Sequence, residues 1–436
     1  PDVIVTRFPP TNNAGHGHHE ASAIVAEEVF DMAADPNAFP EQLEFVDTWQ
    51  PKRLYFNTST WWIKDLEEQA QKSDDFITVN VGKYNTLIGE SYAQIAARSR
   101  SKHKSQGFGS DYPMGNQTEF MEYVLGEKVE KGENLLSNIP TDWNKTEVPQ
   151  VGRILEKVIN DYDFTNPGVS ISGIIEALTL LNEAESAPLV DRKIPELENL
   201  LVRLAGLEME ATTKEYLVAT GSKVSCEVKI NLTSDIETQV MKVAGFGFSD
   251  TTGGSLKTND FYYTEAILTI DENADYSNPY WLNAPFESIY EVLGYSDLGK
   301  PENDPSLVLK VDLKINNYAL SIPLEVVQKE VDPARAVLYS PVYIVPEITA
   351  GFDENTIVAA GSEAKEISIK AQSHVGEMAG VLRPTPPKGW TCEPQEVQLN
   401  FSSAGETKLL KFKIKPEVNP SEGPVAYTHL RAHETK

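Results

Sequence analysis

The spacing of apolar residues changes twice along this 436-residue chain, and the last of the three patterns constrains the fold most strongly. After residue 210 apolar and polar side chains alternate, a period of two that is typical of strands with one buried face. The apolar positions of two such runs are Val224, Cys226, Val228, Ile230 and Leu232, and Leu307, Leu309, Val311, Leu313 and Ile315. Turns rich in Gly, Pro, Asn and Asp separate the runs, which predicts an antiparallel β-sandwich over residues 210–345.

The same alternation returns in the segments EISIKA, EVQLNF and KLLKFKIK. Because the proline-punctuated stretch SPVYIVPEI precedes them, we place a boundary near residue 345 and predict a second, Ig-like antiparallel sandwich over residues 346–423. Residues 424–436, PVAYTHLRAHETK, follow neither a strand nor a turn pattern. They resemble translated sequencing-adapter read-through, so we expect a non-native tail that packs poorly.

Residues 146–209 have the spacing of helices. Their apolar stripes are Ile154, Leu155, Val158 and Ile159, then Ile174, Leu178 and Leu181, then Ile194, Leu197, Leu201 and Leu204. Such stripes predict a short helical connector. Pro195 suits the first turn of its last helix, where a missing amide hydrogen removes no helical bond.

Residues 1–145 combine both periods. A short apolar run, Val3 to Val5, leads into a loop rich in Pro, Asn and Gly, as expected of a buried parallel strand that ends at a site loop. From His18 onward, helical spacing places five apolar residues on one face: Ala21, Ile24, Val25, Val29 and Met32. RLYFN and FITVNV look like further strands, and SYAQIAARSRSKHKSQ like a helix that ends near His103. We predict a doubly wound, Rossmann-like α/β domain, of which we expect this chain to hold only the later part.

Bulk composition excludes several classes of protein. The 40% hydrophobic and 24% charged residues are typical of a soluble globular protein, and no apolar run approaches the roughly 20 residues needed for a membrane span. A formal net charge of −27 disfavours nucleic acid and anionic lipid as partners. Cys226 and Cys392 lie in separate predicted strands, so we expect two free thiols. Pro1 opens no signal-peptide pattern, and we expect any export signal to lie outside this chain.

Three of the seven histidines, His16, His18 and His19, lie within four residues of the Gly-rich loop. Imidazole is a common ligand of divalent transition metals, and doubly wound folds place their sites at loops that follow parallel strands. His16 and His19 are three positions apart across a predicted helix start, so both can face one cleft. A solvated turn or a helix cap explains the same density of histidines equally well.

The order of these motifs resembles the second conserved block of the PIG-L/LmbE-like N-deacetylases: a PDVIVT strand, a Pro/Asn loop and then GHGHHEASA. RSRSKHKSQ resembles the late helix of that family, in which a histidine precedes Ser and Gln, here His103, Ser105 and Gln106. The stretch from ADPNAFPEQL through WQPKRLYFN is similar to family members with appended β-domains. The likeness covers residues 1 to about 140.

The resemblance implies a metal-dependent enzyme that hydrolyses the acetamide of an N-acetylated amino sugar, such as N-acetylglucosamine, or of a glycoconjugate. In that family His19 corresponds to one ligand of a divalent metal, usually zinc. An early Ala-His-Pro-Asp-Asp block supplies a His and an Asp ligand and an Asp general base. His16 would stabilise the tetrahedral oxyanion or protonate the leaving amine, and His103 would be a further catalytic histidine. The early block does not occur in this sequence, so we expect the chain alone to be inactive.

Several alternatives stay open. Many family members read His-Pro-Asp-His where this chain has His16-Gly17-His18-His19, so the residue that orients His16 is not identified. His103 also fits an ordinary histidine at a helix C-terminus, where the dipole favours it. A non-catalytic protein whose β-sandwiches bind carbohydrate or a cell-surface polymer is the competing function.

Other residues suggest chemistry less specifically. Arg7 follows the first strand, where a substrate contact and an ion pair are equally reasonable roles. Trp61 and Trp62 suggest stacking on a sugar ring, although packing is the commoner role of such residues. Asp74 and Asp75 form a carboxylate pair in a charged run that is usually solvated. No Gly-rich phosphate loop, CxxC pair or G-x-S-x-G elbow occurs.

Overall fold

The computed structural model of the protein describes residues 1–139, 141–143, 146–285, 288–354 and 363–417, together with the backbone of residues 426–432. The chain divides into two compact units, Pro1–Thr146 and Glu147–Lys436. The protein is multidomain and rich in strands, which form several separate sheets. None of the helices in the described ranges has the length and apolar character that a membrane crossing requires.

The first unit is built on a four-stranded sheet. Its strands β1 to β6 span Val3–Thr6, Arg53–Thr58, Phe76–Asn80, Tyr84–Asn85, Glu90–Ser91 and Thr118–Gly126, and its helices α1 to α3 span Gly17–Met32, Leu66–Lys72 and Tyr92–Arg100. The sheet order is β1-β2-β6-β3, while β4 and β5 form a separate ribbon. β1 and β2, which precede and follow α1 in the sequence, are parallel neighbours in the sheet. β6 lies between β2 and β3 and is antiparallel to both.

The structure corrects the predicted burial of the first strand and helix. β1 is parallel, as predicted, but it lies at the edge of the sheet, and the Val5 side chain is 47% exposed. Helix α1 buries Ala23 and Phe30 instead of the predicted stripe. Four members of that stripe are exposed: Ala21, Ile24, Val25 and Met32. The first unit therefore has an open strand edge and an apolar helix face on its surface.

The second unit begins with helices α4 to α6, which span Pro149–Asn160, Ile171–Glu183 and Pro188–Leu204. Ile174, Leu178 and Leu181 of the predicted stripes are buried. The position predicted for Pro195 is wrong: it lies inside α6, and Pro188 occupies the first turn. Pro195 has no amide hydrogen to donate to the carbonyl four residues earlier, so α6 lacks one backbone bond there.

Eight of the next ten strands form two joined sheets compatible with a β-sandwich, and the other two strands form a separate pair. Strands β7 to β16 span Leu207–Thr213, Leu217–Ala219, Lys223–Leu232, Thr238–Gly245, Phe248–Asp250, Asp260–Thr269, Val308–Ile315, Tyr318–Asp332, Ala336–Pro341 and Tyr343–Val345. The pairing order is β11-β10-β13-β14-β7-β9-β12, with β15 also on β14 and β8 paired with β16. The ten alternating apolar residues predicted to form the core are all at most 4% exposed.

Strand β14 connects the two sheets of this sandwich. Its first half pairs with β13, and its second half pairs with β7 and β15. The pairings of β7 with β14 and of β8 with β16 are parallel, which differs from the purely antiparallel prediction. The difference arises because both pairs join strands that are distant in sequence, and no hairpin imposes an antiparallel direction on them.

The last strands form two sheets around one core. Strands β17 to β22 span Ile348–Phe352, Lys365–Ser373, Met378–Thr385, Trp390–Glu393, Val397–Phe401 and Thr407–Pro416. One sheet has the order β17-β18-β22-β20, and Ile369, Phe401 and Phe412 belong to the shared core. The backbone of a further strand, β23 (Ala426–Ala432), pairs antiparallel with β19. The predicted poor packing of residues 424–436 concerns side chains outside the described residues, and the domain boundaries within the second unit stay predictions.

Both cysteines are free and buried, as expected from their positions in separate strands. Burial raises the pKa of the Cys226 thiol to about 11 and also raises that of Cys392. The two thiols lie on β9 and β20, which belong to different sheets.

A cluster of hydrogen bonds links β11 to β12. The Tyr262 hydroxyl donates to Oδ2 of Asp250 over 2.6 Å, and the backbone and hydroxyl of Thr252 both donate to Oδ1 over 2.7 Å. These bonds, the one from Tyr262 first, lower the pKa of Asp250 to about 2. A lowered pKa stabilises the fold at pH values above the ordinary carboxyl pKa, and that contribution is lost as the pH falls through about 2.

We therefore predict that Tyr262→Phe lowers the free energy of unfolding by roughly 1–2 kcal/mol at pH 7, because a hydrogen bond to a charged carboxylate is lost. The difference from wild type should shrink as the pH falls below about 4. Urea titrations at pH 7, 5 and 3 measure both effects. Tyr263→Phe is the matched control, since the Tyr263 hydroxyl donates to the exposed side chain of Glu265. A Tyr262→Phe difference that grows at pH 3 would contradict this account.

Candidate functional site

The three clustered histidines lie where the loop after β1 enters α1. The chain passes Phe8 and a 3₁₀ turn, Asn12–Ala14, and Gly15 then adopts a φ of 86°, which favours glycine. His16 is the N-cap residue of α1, and its carbonyl accepts bonds from the amides of His19 and Glu20 over 3.0 and 3.1 Å. Its imidazole makes no capping bond. The side chain of His16 is therefore not used to cap the helix.

The imidazole of His19 is held on two sides. Its ring stacks on Phe8 with a centroid distance of 3.7 Å and an interplanar angle of 9°. Its Nδ1 lies 3.3 Å from the carbonyl oxygen of Ala14. A carbonyl oxygen only accepts, so the neutral ring in this bond carries its proton on Nδ1 and its lone pair on Nε2. Histidines that bind metals commonly anchor their second nitrogen on a backbone carbonyl in this way.

The structure brings His16 and His19 together, as the sequence predicted. The two ring centroids are 5.2 Å apart and the rings meet edge to face at 81°. His16 and His18 are exposed, and His19 is partly buried. The pair therefore presents two imidazoles to solvent-accessible space beside the first turn of α1.

The two tryptophans differ in their surroundings. The Trp62 indole donates to the carbonyl of Asn13 over 3.1 Å, and its ring packs edge-on against Phe56 and Phe8. Trp62 is thus a packing residue that connects the histidine loop to the residues after β2. Trp61 is 85% exposed, so its ring is open to a ligand.

Arg7 belongs to a polar network at the ends of β1, β2 and β6. Its guanidinium donates to the carbonyl oxygen and to Oδ1 of Asn57 over 3.0 and 2.5 Å and lies 3.7 Å from the carboxylate of Glu119. The Asn57 amide also donates to Glu119 over 2.8 Å. Of the two roles considered for Arg7, the structure shows the ion pair. The sequence pattern singles out neither residue: Asn57 is one polar residue within a predicted strand, and Glu119 lies on β6, which has no regular apolar alternation.

His103 does not lie on a helix. Helix α3 ends at Arg100. The amide and the hydroxyl of Ser101 both bond to the carbonyl of Ala97, over 3.0 and 2.8 Å, and a 3₁₀ turn, Lys104–Gln106, follows. No hydrogen bond or ring contact among the described residues joins His103 to His16 or His19. Its catalytic role stays a prediction from the resemblance.

The carboxylate pair before β3 is used in surface ion pairs. Asp75 accepts from Lys128 over 2.6 Å, and Asp74 lies 3.4 Å from Lys131. The hydrogen bond from Lys128 is the main cause of the lowered pKa of Asp75. These contacts attach the segment after β6 to the α2–β3 turn.

The described residues do not by themselves fit a catalytic zinc ion. Within the described ranges, no three His, Cys, Asp or Glu side chains are placed to share a metal. A catalytic zinc site needs about three protein ligands and a water. His16 and His19 supply two imidazoles, which is at least one protein ligand too few.

Comparison with known proteins finds weak structural likeness alone. No family model and no curated protein matches this chain. A red sea bream transglutaminase structure is 10% identical over 53% of this chain and 30% of its own, with a TM-score of 0.21. An Escherichia coli α2-macroglobulin, over 49% of this chain and 19% of its own, is 8% identical with a TM-score of 0.18. The chain thus spans 30% of the transglutaminase, and similarities this low carry no argument about fold or function.

We predict that neutral His19 is the Nδ1–H tautomer, because only that form donates to Ala14. Long-range ¹H–¹⁵N correlation spectra of labelled protein distinguish the two tautomers. Phe8→Ala should remove the stacked ring, weaken the bond to Ala14 and so lower the fraction of the Nδ1–H tautomer of His19. A predominant Nε2–H form of His19 in the wild type would contradict this geometry.

Proposed function

We propose that residues 1–145 form the later, histidine-bearing part of a PIG-L/LmbE-like, metal-dependent N-deacetylase domain with a Rossmann-like sheet. The intact enzyme would hydrolyse the acetamide of an N-acetylated amino sugar or glycoconjugate. The observation that carries this proposal is the state of His19: the Nδ1 hydrogen bond to Ala14 leaves the Nε2 lone pair available as a ligand.

His19 is the metal ligand in this proposal, and zinc is the metal that the family uses. The described residues supply too few donors for it, so the other ligands would come from the early Ala-His-Pro-Asp-Asp block that this sequence does not contain. The chain's own contribution is a ligand nitrogen with a fixed orientation.

His16 is the proton donor or oxyanion contact in this proposal. Its ring lies beside His19, with a centroid separation of 5.2 Å, and is exposed rather than engaged in a cap. An imidazolium can donate a proton to a leaving amine or a hydrogen bond to the oxyanion of a tetrahedral intermediate. The exposed Trp61 ring offers a stacking surface for the sugar.

Two surfaces of the first unit support its assignment as part of a larger sheet domain. β1 has no strand partner on its outer side among the residues described, and its Val5 side chain is half exposed. Ile24, Val25 and Met32 of α1 are exposed as well. In a doubly wound domain, further parallel strands and helices cover such an edge and such a face.

We predict that this chain alone binds zinc weakly, with a dissociation constant above about 1 μM, because two imidazoles do not complete a site. Calorimetric titration with zinc measures the affinity. His19→Ala should abolish the residual binding, since it removes the oriented nitrogen.

His18→Ala is the matched control, because His18 lies in the same loop and is exposed. It should reduce binding by less than His19→Ala does. Sub-micromolar zinc affinity together with deacetylase activity in the isolated chain would show that the ligand set assigned to it is wrong.

A further inference from the structure

A cleft opens in the first sandwich where β14 leaves one sheet for the other. β7 and β14 are paired only between Ala211–Thr213 and Val326–Gln328, and the preceding residues of the two strands separate. The cleft has a volume of about 620 Å³, within the range of ligand sites. Its apolar floor includes Met209, Ala211 and Leu324.

Exposed aromatic rings flank this cleft on both sides. Phe261 of β12 is 59% exposed, and Tyr339 of β15 is 55% exposed. The order β12-β9-β7-β14-β15 places the two rings on strands that are separated by three others. The Tyr339 hydroxyl donates to Glu210 of the middle strand over 3.2 Å, which holds this ring at the rim of the cleft. Rings on two different strands suit a ligand of several rings more than a single small molecule.

Polar side chains lie between the two rings. The strand register puts Phe261 opposite Asn231, and Asn231 opposite Glu208. Two residues further along on the same face, Lys229 of β9 lies opposite Glu210 of β7, and both side chains also line the cleft. Amide, carboxylate and ammonium groups beside exposed rings provide the hydrogen bonds and stacking surfaces that sugars require.

The charges of the cleft are not balanced. Lys329 donates to both oxygens of Glu210 over 2.7 and 2.8 Å, and Lys229 donates to Glu227 over 3.0 Å. Glu208 and Glu325 also line the cleft, and neither forms an ion pair with any residue in the described ranges. The two carboxylates therefore leave a negative charge that a cationic ligand would neutralise.

We propose that this cleft binds an oligosaccharide of amino sugars whose amino groups are free. The rings of Phe261 and Tyr339 stack on sugar faces, Asn231 bonds to hydroxyls, and Glu208 and Glu325 attract the ammonium groups. An extended peptide fits less well, because a peptide is recognised mainly by backbone pairing with a free strand edge, and β7, β9 and β14 in the middle of the cleft are each paired on both sides. None of these residues belongs to the first unit, so this site does not depend on the proposed deacetylase.

Calorimetry of the full chain with a glucosamine tetramer and with its fully N-acetylated form tests the proposal. The amino form should bind at least about tenfold more tightly, because only it carries ammonium groups. Phe261→Ala and Glu208→Gln should each weaken that binding by about tenfold. Phe261→Trp, which keeps an aromatic face, should retain it.

Two matched controls lie outside the cleft. Ile267 is on the same strand and the same face as Phe261, and Glu330 is an exposed glutamate of β14, so Ile267→Ala and Glu330→Gln should leave binding unchanged. Thermal melts confirm that each variant is folded. Absent binding of the amino tetramer, equal affinity for both tetramers, or equal losses in Ile267→Ala and Phe261→Ala would each overturn the proposal.

Discussion

Parallel pairing of β1 with β2 sets the position of every group at the candidate site. The register runs from Val3 opposite Arg53 to Thr6 opposite Phe56, so both strands end at the same edge of the sheet. Arg7 therefore meets Asn57, and the loop that follows meets Trp62. Because side chains alternate along a strand, a slip of one residue would turn these groups to opposite faces. The stacking of Phe8 on His19 depends on the same register.

The sequence predicted the positions of the strands better than it predicted which side chains they bury and which strands lie beside them. Apolar runs and turn residues were sufficient to locate β1, β2 and the alternating cores of the sandwiches, because burial of one strand face imposes a period of two. Helical spacing could not show which side of α1 the sheet covers, and Ala23 and Phe30 are buried instead of Ile24 and Val25. β6 was missed, since Glu119 and Glu122 interrupt its apolar pattern although it lies between two strands. The contact of Arg7 with Glu119 was therefore not predictable.

The two proposed sites are formed by different interactions. At the histidine loop, one ring stack and one carbonyl fix the orientation of His19. In the second unit, a cleft opens where β14 passes from one sheet to the other. Lys329 pairs with Glu210 in this cleft, whereas the carboxylates of Glu208 and Glu325 have no cationic partner in the described ranges. Their chemistry is nevertheless related: hydrolysis of an acetamide on a sugar releases an amine, and an ammonium is the group that these carboxylates would attract. The net charge of −27 favours cationic ligands in the same sense.

The central claim is that His19 belongs to an N-deacetylase site. Its most direct test is a deacetylation assay of a longer protein that carries both this sequence and the early Ala-His-Pro-Asp-Asp block, with N-acetylglucosamine conjugates as substrates. We expect zinc-dependent release of acetate that His19→Ala reduces by at least about a hundredfold and His18→Ala by much less. Activity that survives His19→Ala unchanged, or no acetate release from any such substrate by the zinc-loaded protein, would contradict the claim.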